Sequence, residues 1–161
     1  MPDILNQLDF PVRWVHFGDG EMMDIIKSKL NTLPDHVKVE LRGHVLNTEV
    51  LNFYLNNSVN LVLLLSKTEG GVPVSLQEAV SFGIPVMGTK AGGIPEVVID
   101  GKTGVLLPES PSNIEVATKI KEFNRSQLKY RECVKAVWDK KFNAEKNYPQ
   151  FIEKILLRYL S

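Results

Sequence analysis

An apolar run in the middle of the chain, residues 61–65 (LVLLL), constrains the fold most strongly. A half-buried strand alternates apolar and polar residues, whereas a strand covered on both faces of a parallel sheet is apolar throughout. The run is far too short to span a bilayer as a helix, and glycine-rich sequence follows it. It therefore predicts a strand buried on both faces of a parallel sheet.

Short β-branched runs alternate with amphipathic stretches up to Pro108. Further strands are predicted at residues 12–17, 37–42, 85–89 and 104–107. Helices are predicted at residues 21–33, from a cap at Asn47 or Thr48, and at residues 75–82. Strands that alternate with helices form a parallel sheet with right-handed crossovers, so the predicted fold class is α/β and doubly wound.

The pattern beyond Pro108 contains helices only. Three helices are predicted, marked by Ile114, Ala117 and Ile120, by Leu128, Val134 and Val137, and by Tyr148, Phe151, Ile152, Ile155, Leu156 and Tyr159. The predicted organisation is a single domain, residues 1–161. Its sheet part covers about residues 11–108 and its C-terminal helices about residues 111–160.

Composition excludes several classes of protein. The single Cys133 excludes a disulfide scaffold, and a 43% hydrophobic content excludes disorder. Lys and Arg number 19, as do Asp and Glu, so an unspecific nucleic-acid partner is not expected. The first ten residues do not resemble a signal peptide, and a cytoplasmic location is expected. No histidine or cysteine spacing suggests a metal site.

Residues 66–73, named the first glycine loop, carry the most chemistry. Gly70 and Gly71 let backbone approach a ligand, and the following helix directs unpaired N–H groups to the same space, which suits a diphosphate. Carboxylates such as Glu69 and Glu78 can hold vicinal diols of a ribose or sugar. Together these features predict a nucleotide-sugar. Three structural alternatives remain: a capping box from Ser75 to Glu78, an ordinary glycine loop, and a solvated Glu69.

Residues 89–93, named the second glycine loop, end with Gly92 and Gly93. Pro95 and Glu96 then suit the first turn of a short helix. We expect this loop to form a second wall of the same site. The alternative is a tight turn with a purely architectural role. Lys67 and Lys90 flank the two loops and are candidate cations for a phosphate.

Motifs in a fixed order resemble one known family. They are Gly18-Asp19-Gly20, Gly43, Ser66-x-x-Glu69-Gly70, Pro73-x-x-Leu76-x-Glu78-Ala79, Gly83-x-Pro85-Val86, Gly92-Gly93-x-Pro95-Glu96 and Gly101-x-x-Gly104. From about residue 12 to residue 108 the chain resembles the C-terminal half of family 4 glycosyltransferases of the GT-B fold. The resemblance implies a Rossmann-like donor-binding domain, an acceptor domain outside this chain, and transfer with retention of configuration and usually without a metal.

The resemblance also implies roles for individual residues. Glu69 would contact the donor sugar as the catalytic-side carboxylate, and Glu78 would hold the nucleotide ribose. The amides around Gly70, Gly71 and Val72 would face the diphosphate. The other donor-binding residues are Gly43 and His44, beside the base, and Gly92 and Gly93. His16 is expected in a core or interface and His36 in solvent, and neither replaces the family's catalytic-side histidine, which belongs to the absent domain.

The sequence departs from the family pattern in three ways. Eight residues separate Glu69 from Glu78 where the family has seven, the acceptor domain is absent, and no Arg and Lys clamp for the diphosphate precedes Val12. The chain therefore looks like a fragment, and we predict an irregular sheet or an exposed seam near residues 12–17. The apolar stripe of the last helix is expected to be partly exposed and to favour self-association.

The predicted function is donor binding in a retaining glycosyltransferase that transfers a hexose to a glycan or glycoconjugate. The donor is expected to be UDP- or GDP-linked, with no cofactor and no metal. The isolated chain should bind nucleotide weakly and turn over little. One alternative is a non-catalytic nucleotide-sugar-binding half of a split transferase that needs a partner chain, and another is an epimerase of the same fold. Peripheral association with the inner membrane face would come from the absent domain.

Overall fold

The computed structural model describes residues 1–156, in which short parallel strands alternate with helices. The strands are β1 (Val12–His16), β2 (Val37–Leu41), β3 (Val62–Leu64), β4 (Val86–Thr89) and β5 (Gly104–Leu107). The helices are α1 (Pro2–Leu5), α2 (Met23–Leu30), α3 (Asn47–Asn56), α4 (Val74–Ser81), α5 (Ile94–Val97), α6 (Asn113–Lys141) and α7 (Ala144–Phe151). A π-helical turn, Ile152–Leu156, follows α7. The predicted α/β class is confirmed.

The strands pair in two separate parallel ladders. β1 pairs with β2, with Val12 opposite Val37. β3, β4 and β5 form a second ladder in that order, with Val62 opposite Val86 and Val86 opposite Gly104. Within residues 1–156 no ladder joins the first pair to the other three strands. The described strands therefore form two separate ladders and no single uninterrupted sheet, which agrees with the prediction of an irregular sheet near residues 12–17.

Contacts divide the chain into two compact units, which are described separately. Unit 1 contains Met1–Ser58 and Pro111–Arg125, and unit 2 contains Val59–Ser110 and the chain from Ser126 onward. The organisation as a single domain stays a prediction. In the described part of the chain, no helix is both long enough and apolar enough to cross a membrane.

The core of unit 2 surrounds β4, which is buried at all its residues. Leu76 of α4 and Ile94 of α5 are fully buried, and each apolar side chain of this size contributes roughly 2–3 kcal/mol. Thr103 is also fully buried: its hydroxyl donates to the carbonyl oxygen of Val97 and accepts from the N–H of Ile99. This threonine fastens the segment after α5 to the start of β5.

The prediction that residues 61–65 are buried on both faces is wrong. β3 is only half-buried at each of its residues, whereas β4 is fully buried. The reason is its position, since β3 lies at the edge of its ladder and pairs with β4 alone in the described structure. An apolar edge strand without a charged residue is unusual, because natural edges usually carry Lys, Pro or a bulge.

Charged and aromatic side chains connect the strands of unit 1 to α3. Glu40 accepts a hydrogen bond from Arg13 at 2.7 Å and forms an ion pair with Arg42. Both guanidinium groups lie over the ring of Phe53, at 5.8 Å for Arg13 and 5.5 Å for Arg42. The hydrogen bond from Arg13, aided by Arg42, lowers the pKa of Glu40. Because α3 has no buried residue, these contacts and half-buried apolar side chains hold it.

Three local predictions in unit 1 differ from the structure. Helix α3 begins at Asn47 after Leu46, and no side chain caps it, so neither Asn47 nor Thr48 is the cap. His36 is not simply solvated, because its Nε2 lies 2.9 Å from the carbonyl oxygen of Leu8. Helix α2 is also shorter than the predicted residues 21–33.

The C-terminal helices differ from the prediction in number. The first two predicted helices form one helix, α6, because no Gly or Pro interrupts residues 113–141. A capping box starts α6: the N–H of Ser112 donates to Glu115, and the Ser112 hydroxyl accepts from the N–H of Glu115. The partial exposure predicted for the last apolar stripe is confirmed at Tyr148, Phe151, Ile152 and Ile155. Tyr159 and the side chain of Leu156 lie outside the described residues.

Candidate functional site

The two glycine loops lie at the same end of the β3–β4–β5 ladder, where the strands have their carboxyl ends. The first glycine loop follows β3 and the second includes the last residue of β4, and these strands are parallel. Their carboxyl ends therefore meet at one edge, where ligands bind in open α/β sheets. Helix α4 starts directly after the first loop, at Val74.

Backbone contacts hold the two loops together. The N–H of Gly93 donates to the carbonyl oxygen of Gly71 at 3.2 Å. A Cβ on Gly93 would lie 2.4 Å from that same oxygen, and a Cβ on Gly92 would lie 1.9 Å from the carbonyl oxygen of Glu69. Gly92 also has φ +48°, a backbone conformation that side chains disfavour. Positions 92 and 93 therefore require glycine for the packing of one loop on the other.

Two polar side chains support the first glycine loop and were not singled out in the sequence. The hydroxyl of Thr89, which is 2% exposed, donates to the carbonyl oxygen of Ser66. The side-chain amide of Gln77 donates to the carbonyl oxygen of Val72 at 3.4 Å. For Thr89 a signal existed in the sequence, because a hydroxyl at the end of an apolar buried strand needs a partner.

Gly70 and Gly71 present the opposite situation. Both are exposed, and a Cβ built on either would meet no atom within 4 Å. Neither has a positive φ. Within the described protein, neither backbone conformation nor packing explains glycine at these positions.

The two glutamates are half-buried and flank the exposed glycine pair along the chain: Glu69 precedes it in the loop and Glu78 follows it in α4. The capping-box alternative for Glu78 is wrong. Pro73 is the N-cap residue of α4 and no side chain caps that end, so Ser75 lies inside the helix rather than at its cap. The N-cap residue of α4 therefore contributes no side-chain hydrogen bond to the N–H groups of the first turn, which are the groups that bind an anion at a helix end.

Gly43 and His44 belong to unit 1 and are described apart from the glycine loops. Gly43 (φ +64°) accepts a hydrogen bond from the N–H of Gly18 at 2.7 Å, which joins the loops after β1 and β2. His44 is exposed. The ring of His16 is tilted against that of Trp14, with 5.7 Å between the ring centroids, and burial lowers the pKa of His16, as expected for a structural histidine. Lys67 and Lys90 are exposed.

Acidic, histidine and cysteine side chains do not gather in residues 1–156 into a group of three that could hold a metal ion. The absence of a metal from the reaction stays a prediction.

Relatives of this chain are named as glycosyltransferases. The chain is similar to the putative colanic acid biosynthesis glycosyltransferase WcaL of Salmonella typhimurium, with 38% identity over 54% of this chain and 22% of the relative. For WcaL of Escherichia coli, the identity is 33% over 70% of this chain and 28% of the relative. The chain thus spans less than a third of the length of these curated relatives.

Solved structures share the fold. Anabaena Alr3699/HepE in complex with UDP-glucose matches 96% of this chain and 43% of its own, with a TM-score of 0.73 and 23% identity. The galactosyltransferase WaaB of the lipopolysaccharide outer core matches 88% of this chain and 41% of its own, with a TM-score of 0.72 and 19% identity. These neighbours are GT-B glycosyltransferases, so the predicted fold is confirmed.

The family itself follows from a direct match. A family model described as "Glycosyl transferases group 1" covers residues 1–138, most of the chain. The predicted family is therefore confirmed, and the chain belongs to the group 1 glycosyltransferases.

Proposed function

We propose that this chain binds the nucleotide-sugar donor of a retaining glycosyltransferase, which transfers a hexose to a glycan or glycoconjugate acceptor without a metal. The observation that carries the proposal is the exposed pair Gly70 and Gly71. Since neither packing nor backbone conformation requires glycine there, we assign the requirement to a ligand that approaches the backbone. A diphosphate suits this position, because α4 begins three residues later at Val74.

The flanking side chains complete the assignment. Glu78 would hold the ribose through both carboxylate oxygens, and Glu69 would contact the sugar at the reacting end of the donor. The amide of Val72 joins those of the glycine pair at the diphosphate. The placement of Gly43 and His44 beside the base stays a prediction from the family resemblance. A UDP-linked donor is favoured over a GDP-linked one because the structural neighbour HepE forms a complex with UDP-glucose.

The acceptor and the cellular setting are also proposals. The WcaL relatives are named for colanic acid biosynthesis, which favours a surface polysaccharide as the product. An acceptor domain would come from polypeptide outside this chain, because the relatives are more than three times longer than the matched part. A cytoplasmic location at the inner membrane face stays a prediction.

A second candidate is a non-catalytic donor-binding half that works with a partner chain. One structural neighbour is described as the GtfA/B complex, with 25% identity over 78% of this chain and a TM-score of 0.58. Sugar transfer by this chain alone would contradict both this candidate and the expectation that the isolated chain turns over little.

The test measures thermal unfolding of the chain with UDP, GDP, ADP, CMP and their sugar conjugates. A ligand at about one hundred times its Kd adds roughly 2.7 kcal/mol, or about 5–10 °C for a chain of this size. Gly71→Ala should leave the ligand-free Tm unchanged, because its Cβ meets nothing. It should abolish the shift caused by nucleoside diphosphates.

Glu78→Ala should weaken the binding of every nucleotide that carries a ribose. Glu132→Ala serves as the control, because Glu132 is an exposed glutamate of α6. No stabilisation of the unaltered chain by any nucleotide would refute donor binding by this chain. If Gly71→Ala binds nucleotides as tightly as the unaltered chain, the assignment of the diphosphate to the first glycine loop is wrong.

A further inference from the structure

We infer that the second glycine loop positions the first one, so that Gly92, Gly93 and Thr89 act on the donor through the backbone of residues 66–72 rather than by touching it. This differs from the expectation that Gly92 and Gly93 bind the donor directly. The ligand side of the inference rests on the proposed function, whereas the packing of the loops does not.

Three contacts from the second loop reach the first at successive points. The Thr89 hydroxyl binds the carbonyl oxygen of Ser66 at the start of the loop. Gly92 lies against the backbone of Glu69 at its middle, too close for any Cβ. The N–H of Gly93 then binds the carbonyl oxygen of Gly71. Each contact ends on main-chain atoms of the first loop, so the second loop determines where its backbone runs.

Burial separates two of these three residues from the exposed glycine pair, whereas Gly92 is itself exposed and its role rests on its close packing against the backbone of Glu69. Thr89 and Gly93 are buried, whereas Gly70 and Gly71 are exposed with open space around them. A methyl group at position 93 must therefore displace the carbonyl of Gly71, since a backbone atom cannot rotate away as a side chain can. The same displacement would move the peptide groups proposed for the diphosphate.

Limited proteolysis measures this displacement without any ligand. Lys67 is exposed within the first glycine loop, so trypsin can cleave after it when the loop opens. Cleavage of a transiently open segment follows the population of the open form. Loss of one hydrogen bond, about 1 kcal/mol, raises that population about fivefold. We expect Gly93→Ala to raise the rate of tryptic cleavage after Lys67 at least about fivefold, with mass spectrometry as the readout.

Matched controls separate loop positioning from general loss of stability. A Cβ on Gly104 would lie 1.6 Å from the carbonyl oxygen of Val86, at the opposite end of the ladder. Gly104→Ala therefore tests a backbone clash that is at least as severe as that of Gly93→Ala but lies away from the loops. Thr89→Val removes a buried hydroxyl without adding bulk and keeps the test valid if Gly93→Ala does not fold. Thr103→Val is its control, because that hydroxyl is also buried and bonded to backbone.

The inference predicts faster cleavage after Lys67 in Gly93→Ala and Thr89→Val than in Gly104→Ala and Thr103→Val, at temperatures where all are folded. Equal cleavage in variants and controls would overturn it. In nucleotide titrations, Thr89→Val should raise the Kd while Thr103→Val leaves it unchanged, and equal Kd values for these two would also overturn it. If the unaltered chain binds no nucleotide, the proposed function fails, and the cleavage rates alone decide the positioning role.

Discussion

The buried hydroxyl of Thr103 offers a sharp test of how unit 2 is held together. Thr103→Val keeps the shape of the side chain but removes one donor and one acceptor. The carbonyl oxygen of Val97 then loses its bond to the hydroxyl, and the N–H of Ile99 retains only its 3.1 Å contact with that same oxygen. An unsatisfied buried group costs about 1–3 kcal/mol, and the remaining contact between the Ile99 N–H and the Val97 oxygen offsets part of this for both groups. We expect a loss of about 2 kcal/mol.

Urea unfolding of the chain, followed by circular dichroism, measures this loss. The midpoint should fall while the slope stays constant, and the Tm should fall by about 4–8 °C. Thr103→Ser is the matched control, because it keeps the hydroxyl and loses one methyl group, worth about 1 kcal/mol. If Thr103→Val is as stable as the unaltered chain, the hydroxyl contributes nothing and the inference about this connection is wrong.

Two further predictions concern unit 1. Ser112→Ala removes the capping box of α6 and should lower the free energy of unfolding, measured in urea, by about 1 kcal/mol. Ser112→Thr should retain most of that free energy, and equal losses in the two variants would exclude the cap. The lowered pKa of Glu40 means that its ionised form stabilises the fold above its unfolded pKa of about 4.3, and this contribution is lost as pH falls through the lowered value. Glu40→Gln should therefore lower the free energy of unfolding at neutral pH, and the variant should lose less stability than the unaltered chain when the pH is lowered. Urea unfolding at neutral and at acidic pH measures both effects. If the variant and the unaltered chain lose the same stability on acidification, the role of Arg13 is contradicted.

Much of the strand order could be predicted because strands and turns are encoded locally. Each predicted strand overlaps an observed one, since β-branched runs ended by glycine or proline leave few alternatives. The burial of residues 61–65 could not be predicted in the same way. An apolar run has the same composition at the centre and at the edge of a ladder, and only the pairing of β3 decides its exposure.

The helix ends show a second limit. The sequence from Ser112 to Glu115 has the pattern of a capping box and forms one, whereas in the same pattern from Ser75 to Glu78 the serine lies inside α4, because Pro73 is the N-cap residue of that helix. For the candidate site, the sequence located both glycine loops but not their different roles. The sequence does not distinguish an exposed glycine from a packed one, and only the contacts around Gly93 show the difference.

The contrast between the two glycine pairs has a consequence for mutational libraries of this chain. A selection for soluble expression alone should accept alanine at Gly70 and Gly71, where added atoms meet open space, and reject it at Gly92 and Gly93. A selection for ligand capture should reject alanine at all four. Positions that tolerate change in the first screen and not in the second would then outline the ligand's footprint on the backbone, without knowledge of what the ligand is.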